Sequence, residues 1–504
     1  MSRREQVVVV GAGMVGHRFV EELVRRDPAG RFDVHLVGAE DYAPYNRILL
    51  SDVVAGRCDL AALALPEPDP ARVSFHRGTT VHAVGRAAGT VELGDGGRLP
   101  FDHLVLATGA GAFVPPMPGL RDGMPRHAHV LRDLDDCRDV AARALNAKHA
   151  VVLGGGLLGL EAACGLVRRG VRVTLLHVAG HLAEGQLDAA PAGVLAASLA
   201  DLGIDVRTGT GVVEVVVEDG ELHAVRLGNG LALPTDLLLV SCGVRPRTGL
   251  AASAGLRTDR GVVVDGDLRS VDDPRVRAIG DCAQPPEGGS GLVGPGWVQA
   301  ARLAASLTGT PAPAPGSPPA VRLKAAGVDV VTMGSRGSTA DPLRDRVVTV
   351  GDPVGRRHVE LVVRGGRLAG VTCIGAPDLG SSLSVAYDRG TPLPVDPLAL
   401  LLPERAEEDG SPALMPAATP VCRCNGVAKR DIVAAWDRGA ATVPEVALAT
   451  RATTGCGGCR DVVCGLVDWL RTSDPATSQP AAGDGERSVA GMQHDPACDE
   501  ISAS

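Results

Sequence analysis

Two glycine-rich turns of the same form constrain the fold of this chain more than any other feature. The first reads GAGMVG at residues 11–16, and it follows an apolar run at 6–10. The second reads GGGLLG at residues 154–159 and follows an apolar run at 150–153. Helical periodicity continues after each turn, so each has the strand–turn–helix order of a dinucleotide fingerprint, with backbone close to a diphosphate. The sequence therefore predicts two dinucleotide-binding units in an α/β chain.

A second strand follows each turn, and its last residues lie near the ribose in this type of unit. In the first unit, Glu40 follows the strand at 32–37, and its carboxylate can accept hydrogen bonds from a ribose. In the second unit the strand at 171–177 ends in His177, which is neither the acid typical of NAD sites nor the arginine typical of NADP sites. No Arg or Lys lies between His177 and Asp188, so we expect a modest preference for NADH with NADPH also accepted.

Two further strand ends fit this arrangement. Residues 102–110 form an apolar strand that ends in Thr108 and Gly109. Residues 278–281 form a short strand that ends in Gly280 and Asp281, where an aspartate can hold a ribitol or ribose hydroxyl.

Charge and hydropathy exclude other classes of partner. The net charge of −9 argues against a broad surface for nucleic acid or membrane. No apolar run reaches the ~20 residues needed to span a bilayer. The apolar stretch that ends at residue 10 runs directly into the first glycine turn, which favours a buried strand over a signal peptide. We therefore expect a cytoplasmic protein.

Cysteines cluster towards the C-terminus as a C-x-C pair and a C-x-x-C pair: Cys422, Cys424, Cys456 and Cys459. In a cytosolic chain such a cluster suggests a metal before a disulfide. Thiolates in this number hold either zinc or an iron–sulfur cluster, and the spacing alone does not choose between them. Cys464 lies on an apolar helical stretch and is expected in a core.

Over residues 1 to about 310, the two turns and the strand ends together resemble the flavoprotein reductases related to glutathione reductase. The resemblance implies a two-dinucleotide-binding-domain flavoprotein reductase fold in which FAD binds first and NAD(P)H second. The FAD contacts that it implies are Gly11, Ala12, Gly13, Gly16, Glu40, Thr108, Gly109, Gly280 and Asp281. The nicotinamide dinucleotide contacts expected at the second unit are Gly154, Gly156, Gly159 and His177. Gly243 lies in a segment that resembles the turn where the chain re-enters the FAD domain.

The segment YNRILLS at residues 45–51 resembles the one found in rubredoxin-reductase-like and nitrite-reductase-like enzymes. This resemblance implies that Arg47 approaches the flavin and that Glu161 lies near the nicotinamide, so both are candidate catalytic residues. Relatives of the ferredoxin-reductase type often place a lysine after the serine, where it pairs with that glutamate, but this chain has Asp52. Cys58 has no partner at the spacing of a redox pair, which argues against a dithiol mechanism.

Residues 420–470 resemble the bacterioferritin-associated ferredoxin domain, a small helical [2Fe-2S] fold, with helical character at 429–439 and 442–450. The resemblance implies that the four clustered cysteines ligate a [2Fe-2S] cluster. Residues 322–329 resemble the start of the small C-terminal domain of nitrite-reductase-like flavoproteins, and the runs at 358–363 and 368–374 predict a hairpin.

These patterns predict the domain organisation. The expected parts are an FAD domain at 1–113 and 240–310, an NAD(P)H domain at 114–239, a small α+β domain at 311–402 behind a Pro-rich linker, a second linker at 403–419, the [2Fe-2S] domain at 420–471 and a disordered tail at 472–504.

The parts together predict an NAD(P)H-oxidising flavoprotein that passes electrons through FAD and the cluster to a separate acceptor protein. The arrangement most resembles the electron-transfer subunit of assimilatory nitrate reductases, which implies a nitrate reductase catalytic subunit as partner. Nitrite reductase large subunits continue into siroheme and [4Fe-4S] domains that this chain lacks, so we expect no nitrite reduction by this chain itself. The alternatives are a reductase of a rubredoxin or ferredoxin carrier, a nitrite reductase component, and a redox sensor.

Overall fold

The computed structural model describes residues 3–289, 291–312, 320–325, 327–401, 412, 415–422, 425–455 and 458–473. The chain divides into two compact units, Met1–Leu401 and Leu402–Ser504, and each is described by itself. The tail expected from residue 472 lies outside the described residues except for its first two positions, and so does most of both linkers.

The first unit opens with a Rossmann-like half that leads to the second glycine turn. Its elements are β1 (Glu5–Val10), α1 (Met14–Arg26), β2 (Phe32–Gly38), α2 (Leu50–Val54), β3 (Val73–Arg77), β4 (Val81–Gly85), β5 (Thr90–Leu93), β6 (Arg98–Pro100), β7 (His103–Leu106), β8 (Ala110–Ala112), β9 (Ala128–His129), α3 (Leu134–Ala144) and β10 (His149–Leu153).

A second half repeats the plan and then returns to the first. Its elements are α4 (Leu157–Arg168), β11 (Arg172–Leu176), α5 (Ala189–Asp201), β12 (Asp205–Arg207), β13 (Val212–Glu218), β14 (Glu221–Leu227), β15 (Ala232–Pro234), β16 (Leu237–Val240), β17 (Val244–Pro246), α6 (Gly249–Ser253), β18 (Val262–Val263), β19 (Val276–Ala278), β20 (Ala283–Gln284) and α7 (Val293–Thr308).

Two five-stranded sheets carry the glycine turns. The first has the strand order β19-β7-β1-β2-β3 and the second has the order β12-β11-β10-β16-β9, and the paired strands of both run parallel. In each sheet the central strand, β1 or β10, leads into the glycine turn. The carboxyl ends of parallel strands share one edge, so turn and strand-end residues meet there.

The apolar residues before the first turn form the centre of the first sheet. Val7, Val8 and Val9 are fully buried in β1. A strand covered on both faces by other elements is expected to be apolar throughout, which explains why this stretch shows no alternation. The sequence-based interpretation of these residues as a buried strand is correct.

The segment expected as a short strand through residue 281 is shorter than expected. Strand β19 ends at Ala278, and Gly280–Cys282 form a 3-10 turn. Gly280 has φ +73°, a value that favours glycine, and a turn at this point is therefore reasonable.

The first unit ends in a small α+β layer. Its elements are β21 (Val321–Ala325), β22 (Val328–Gly334), β23 (Asp345–Asp352), β24 (Arg357–Arg364), β25 (Arg367–Ile374) and α8 (Pro377–Arg389). The sheet is antiparallel, in the order β21-β22-β25-β24-β23. The predicted hairpin is confirmed, because β24 and β25 pair across Gly365 and Gly366, whose φ values of +56° and +72° suit a tight hairpin turn.

The second unit is small and mainly helical. Its elements are β26 (Pro420–Cys422), β27 (Val427–Ala428), α9 (Lys429–Asp437), α10 (Val443–Thr450) and α11 (Arg460–Ser473). The helices predicted at 429–439 and 442–450 are confirmed, with ends one or two residues shorter. Ile432, Val446 and Val463, one from each helix, are fully buried together in its core.

In the part of the chain that the structure describes, no helix combines the length with the apolar composition needed to cross a bilayer.

Candidate dinucleotide sites and cluster domain

The first glycine turn is tightly packed at Gly11 and Gly16 and open at Gly13. A Cβ on Gly11 would lie 2.2 Å from the carbonyl oxygen of Ala107, and Gly11 has φ +117°. A Cβ on Gly16 would lie 1.9 Å from the oxygen of Gly11. At Gly13 the nearest described atom would be Arg47 Nε at 3.8 Å. Gly11 and Gly16 are therefore required by the packing of the turn, while Gly13 leaves room for a diphosphate to approach.

The second glycine turn repeats this geometry. A Cβ on Gly154, at φ +118°, would lie 2.1 Å from the oxygen of Ser241, and a Cβ on Gly159 would lie 2.0 Å from the oxygen of Gly154. A Cβ on Gly156 would meet no described atom within 4 Å. Both turns thus fit a dinucleotide, with the amide end of a long helix, α1 or α4, directly behind the open glycine.

Glu40 lies at the centre of a polar group beside the first turn. Its Oε2 accepts a 2.6 Å hydrogen bond from the Tyr45 hydroxyl, and its Oε1 accepts one from Arg47. Arg47 also donates to the carbonyl oxygen of Arg132, at 2.9 Å. Burial raises the pKa of Tyr45, so this phenol stays protonated and acts as a donor to Glu40. The structure thus brings together two of the residues predicted for the FAD site, Glu40 and Arg47.

Arg132 belongs to the same group, although sequence reasoning missed it. One terminal nitrogen lies 3.5 Å from a carboxylate oxygen of Asp281 and donates to the carbonyl of Ala110 at 3.3 Å. Burial lowers the pKa of Arg132, and Asp281 offsets this only in part. Its Nε is buried and has no hydrogen-bond partner among the described residues. A half-buried cation with a donor to spare suits an anionic ligand, and this fits FAD.

Other predicted FAD residues form the crossing between the two halves. Thr108 donates through its hydroxyl to the carbonyl of Arg247 at 2.8 Å, and the Arg247 amide donates to Gly109 at 2.9 Å. The Gly280 amide donates to the side chain of Gln299 at 2.7 Å. The carbonyl of Gly243 accepts from the Phe113 amide at 2.9 Å, next to the pairing of β17 with β8. The contacts of Arg247 and Gly243 hold the segment around β17 against the end of strand β7 and against β8.

The methyl group of the remaining residue in the first turn, Ala12, packs towards the second strand. A Cβ on Gly38 would lie 2.7 Å from the Ala12 methyl group, so the strand end must be small for the turn to sit close.

Glu161 is buried in the first turns of α4 and has a hydroxyl partner. The hydroxyl of Ser51, on α2, donates to Glu161 Oε2 at 2.6 Å. The neighbouring Asp52, which stands where some relatives have lysine, instead forms an ion pair with Arg57, whose Nε lies 2.9 Å from Asp52 Oδ1. Ser51 therefore contacts Glu161, and it belongs to the same segment in which those relatives have the lysine.

His177 lies at the end of β11, where the sequence placed it, but both ring nitrogens have protein partners. The Gly155 amide donates to its Nδ1 at 3.1 Å, and its Nε2 lies 2.8 Å from Glu184 Oε2. The Nε2 of His177, which could otherwise donate to a ribose or a phosphate, is therefore used by Glu184. Glu184 lies seven positions after His177, and no sequence motif identified it.

The cysteines of the second unit are described only in part. Cys424 and Cys456 lie outside the described residues. Cys422 and Cys459 are both buried in the core of the small helical unit. Cys464, on α11, packs in part against the same core, as expected.

Each buried thiol accepts a hydrogen bond from an N–H group. The Asn425 side-chain amide lies 3.7 Å from Cys422 Sγ, and the Thr453 backbone amide lies 3.3 Å from Cys459 Sγ. Thr453, whose amide is the donor to Cys459, has φ +69°, a conformation rare for a non-glycine residue. N–H donors stabilise thiolate charge and tune cluster potentials, so this donor set fits a thiolate-ligated cluster.

The fold and the two open turns define a flavoprotein reductase with two dinucleotide domains. The chain belongs to the pyridine nucleotide-disulphide oxidoreductase family, whose model matches residues 5–305. The model of the BFD-like [2Fe-2S] binding domain matches residues 420–468. The chain is therefore an NAD(P)H-dependent oxidoreductase with FAD and a [2Fe-2S] cluster as its cofactors, which confirms the predicted class, fold and cofactors.

Curated relatives point the same way. The chain is 35% identical over 475 residues to the nitrite reductase [NAD(P)H] large subunit of Klebsiella oxytoca, covering 92% of this chain and 49% of that protein. It is 30% identical over 481 residues to the assimilatory nitrate reductase electron transfer subunit of Bacillus subtilis, covering 94% of this chain and 60% of that protein. The chain thus spans about half of the length of the curated relatives that it matches.

Solved structures agree on the fold of the first unit. Putidaredoxin reductase, in its covalent complex with putidaredoxin, superposes with a TM-score of 0.70 at 27% identity, covering 79% of this chain and 96% of that chain. The ferredoxin reductase of Rhodopseudomonas palustris gives a TM-score of 0.67 at 26% identity, covering 79% of this chain and 99% of that chain.

Proposed function

We propose that this chain takes electrons from NAD(P)H, passes them through FAD to its [2Fe-2S] cluster and delivers them to a separate redox protein. The observation that carries the proposal is the presence, in one chain, of two open glycine turns and two buried thiols that accept N–H hydrogen bonds. When bound, FAD accepts a hydride and releases electrons singly, and a [2Fe-2S] cluster carries one electron at a time. A chain with both cofactors can therefore link a two-electron donor to a one-electron acceptor.

The proposed roles of the site residues follow from their contacts. Gly13 and Gly156 are the open positions where the two diphosphates approach. Glu40, oriented by Tyr45 and Arg47, is the proposed acceptor of hydrogen bonds from the FAD ribose. Carboxylates have about four acceptor positions, so two protein donors leave capacity for a ligand.

Near the nicotinamide, Glu161 is the proposed acid. The Ser51 hydroxyl holds one of its carboxylate oxygens in place. Arg47 is the proposed cation beside the flavin. In the second unit, Cys422, Cys424, Cys456 and Cys459 are the proposed ligands of the cluster, of which the structure describes the first and the last.

The acceptor that we propose is the catalytic subunit of an assimilatory nitrate reductase. The support is the Bacillus subtilis relative, which is named as the electron transfer subunit of that enzyme and matches over 94% of this chain. A ferredoxin-type carrier is the second candidate, because the first unit superposes on putidaredoxin reductase bound to putidaredoxin. A role as a nitrite reductase component is the third candidate, and the Klebsiella relative supports it.

We also propose a cytoplasmic location, supported by the use of residues 5–10 as a central strand.

Removal of one proposed cluster ligand tests the electron path. Cys424→Ser should abolish reduction of the acceptor protein while flavin reduction by NADH continues, because the hydride step precedes the cluster. Cys464→Ala is the matched control, since it removes a half-buried thiol of the same unit that is not a proposed ligand. Normal acceptor reduction by Cys424→Ser would overturn the path.

The acceptor is tested by comparing rates with purified candidates. NADH-reduced protein should pass electrons to the nitrate reductase catalytic subunit faster than to a rubredoxin or a ferredoxin, and the reverse order would favour the carrier reductase. Slow turnover with every acceptor, artificial ones included, would instead favour a redox sensor.

A further inference from the structure

His177, at the end of strand β11, is hydrogen-bonded through its two ring nitrogens to the glycine turn and to the side chain of Glu184. The Gly155 amide donates to His177 Nδ1 at 3.1 Å, so in the neutral ring this nitrogen is the acceptor and Nε2 bears the proton. His177 Nε2 lies 2.8 Å from Glu184 Oε2 and therefore donates to it. The histidine is buried, and the side chain of Glu184 is 51% exposed. The buried histidine thus holds a solvent-exposed carboxylate at the end of this strand.

The loop that carries Glu184 is fixed against the second glycine turn. The Ala183 amide donates to the carbonyl of Gly155 at 2.9 Å. Leu182 and Leu187 are fully buried, and a Cβ on Gly155 would lie only 2.6 Å from Leu182 Cδ2. Because the loop and the turn are packed together, the position of the carboxylate is set relative to the place where the dinucleotide approaches.

The small α+β layer holds the same loop from its other side. Arg336 donates to the carbonyl oxygens of Glu184, at 2.8 Å, and Leu187, at 3.3 Å. The Ser338 amide donates to the carboxylate of Asp188 at 2.9 Å. These contacts use the backbone of Glu184, while its carboxylate accepts a hydrogen bond from His177.

The charges at this strand end are unequal. Burial raises the pKa of Glu184, but hydrogen bonds from its own amide and from His177, together with the charge of His181, lower it further, so the group is a carboxylate at neutral pH. On the neighbouring strand β12, the Arg207 guanidinium is paired with Asp205, with contacts of 2.9 and 2.7 Å. The cation on the adjacent strand is therefore already neutralised, and the charge offered to a ligand is negative.

We propose that Glu184, positioned by His177, is the carboxylate that accepts a hydrogen bond from the 2′-hydroxyl of the adenosine ribose of NADH and repels the 2′-phosphate of NADPH. In dinucleotide-binding folds an acid at the end of this strand has that task. Here the strand end is a histidine, and the acid comes from the following loop. The inference rests on the proposed function, because it requires a nicotinamide dinucleotide at the second glycine turn.

The test measures binding as well as turnover. Dissociation constants for NAD⁺ and NADP⁺ are obtained by calorimetric titration of the FAD-loaded protein, and flavin reduction by NADH and NADPH is followed by stopped flow. Glu184→Gln should weaken NAD⁺ binding roughly 10- to 100-fold, the usual range for a hydrogen bond to a charged group. NADP⁺ binding should be unchanged or tighter. Glu184→Arg should reverse the preference.

Two further variants separate position from charge. Glu214→Gln removes a half-exposed carboxylate, paired with Arg226, from hairpin strand β13 of the same half and should leave both constants unchanged. His177→Gln removes the ring that orients Glu184 and should reduce the preference for NAD⁺ over NADP⁺. Because Glu184 is half-exposed, its variants should fold even if the histidine variant does not.

The outcomes are distinguishable. A wild-type flavin that neither donor reduces would overturn the proposed function. If NADH reduces the flavin but Glu184→Gln keeps the wild-type ratio of NAD⁺ to NADP⁺ affinity, the proposed function stands and the inference fails.

Discussion

The two glycine turns have the same backbone but different chemistry at the neighbouring strand end. Gly11 and Gly154 have φ values of +117° and +118°, and each would clash with a carbonyl across the sheet if it carried a Cβ. Beside the first turn, Glu40 contacts Arg47 directly. Beside the second, the strand ends in His177, and the carboxylate of Glu184 is supplied through it. The two turns share the backbone geometry that fits a dinucleotide, and we propose that the strand-end side chains select the nucleotide.

The largest expected effect comes from substitutions at Gly11 and Gly154, which disrupt the backbone geometry that the two turns share. Gly11→Ala or Gly154→Ala should destabilise the apoprotein by about 3 kcal/mol or more, because a Cβ enters an occupied space at a positive φ. Gly13→Ala and Gly156→Ala are the controls, since their Cβ atoms meet open space, and they should weaken nucleotide binding without loss of the fold. Thermal unfolding of the apoproteins and FAD content per chain measure both effects. Equal unfolding temperatures for the two sets would contradict this reading of the turns.

The next effect separates the two strand ends. Glu40→Gln should weaken FAD binding roughly 10- to 100-fold, since one charged acceptor is lost, and should leave the choice between NADH and NADPH unchanged. Glu184→Gln should do the reverse. Fluorescence titration of apoprotein with FAD measures the first quantity. If Glu40→Gln altered donor choice but kept FAD affinity, the two strand ends would not be independent.

Sequence patterns predicted those parts of the molecule that are encoded locally. The glycine turns, the central strands and the hairpin at Gly365 and Gly366 are recognisable because periodicity and turn residues fall within a short stretch. Arg132 and Glu184 were not predicted, because each reaches its site from another element and belongs to no motif. Ser51 ends the segment at 45–51, but that pattern does not show that its hydroxyl contacts Glu161. Only the folded arrangement places the Arg132 guanidinium beside Asp281 and the Ser51 hydroxyl beside Glu161.

Other predictions stay untested. The cofactor roles of the individual residues and the domain boundaries stay predictions, although the fold and the cofactors are confirmed. For the metal site, Cys422 and Cys459 are buried as ligands would be, while their partners in the two motifs lie outside the described residues.

A smaller effect concerns the hydrogen bond between Ser51 and Glu161. Ser51→Ala removes the hydroxyl that donates to buried Glu161, which should cost about 1–2 kcal/mol of stability and slow flavin reduction. Ser253→Ala, which removes an exposed hydroxyl on α6, is the control and should change neither. Unfolding temperature and stopped-flow rate report the two quantities. A stable Ser51→Ala protein with a normal rate would remove the serine from the site.

The smallest expected effect depends on pH. The pKa of Glu184 is lowered from its ordinary value of 4.5, although burial opposes this, because its own amide and His177 donate to the carboxylate. Its contribution to stability should therefore be fully present above about pH 4.5 and be lost as the pH falls through the lower folded value. Unfolding of the wild type and of Glu184→Gln should differ at pH 6 to 7, roughly, and converge in acid. A difference that grew in acid would have the wrong sign.

The central claim is that one chain links hydride transfer to a one-electron cluster. The most direct measurement is an anaerobic single-turnover experiment with NADH on the purified protein, followed by absorbance and electron paramagnetic resonance, with iron and acid-labile sulfide determined on the same sample. The account predicts FAD with about two irons per chain, and cluster reduction that follows flavin reduction. Zinc without acid-labile sulfide, or a cluster that stays oxidised while the flavin is fully reduced, would contradict it.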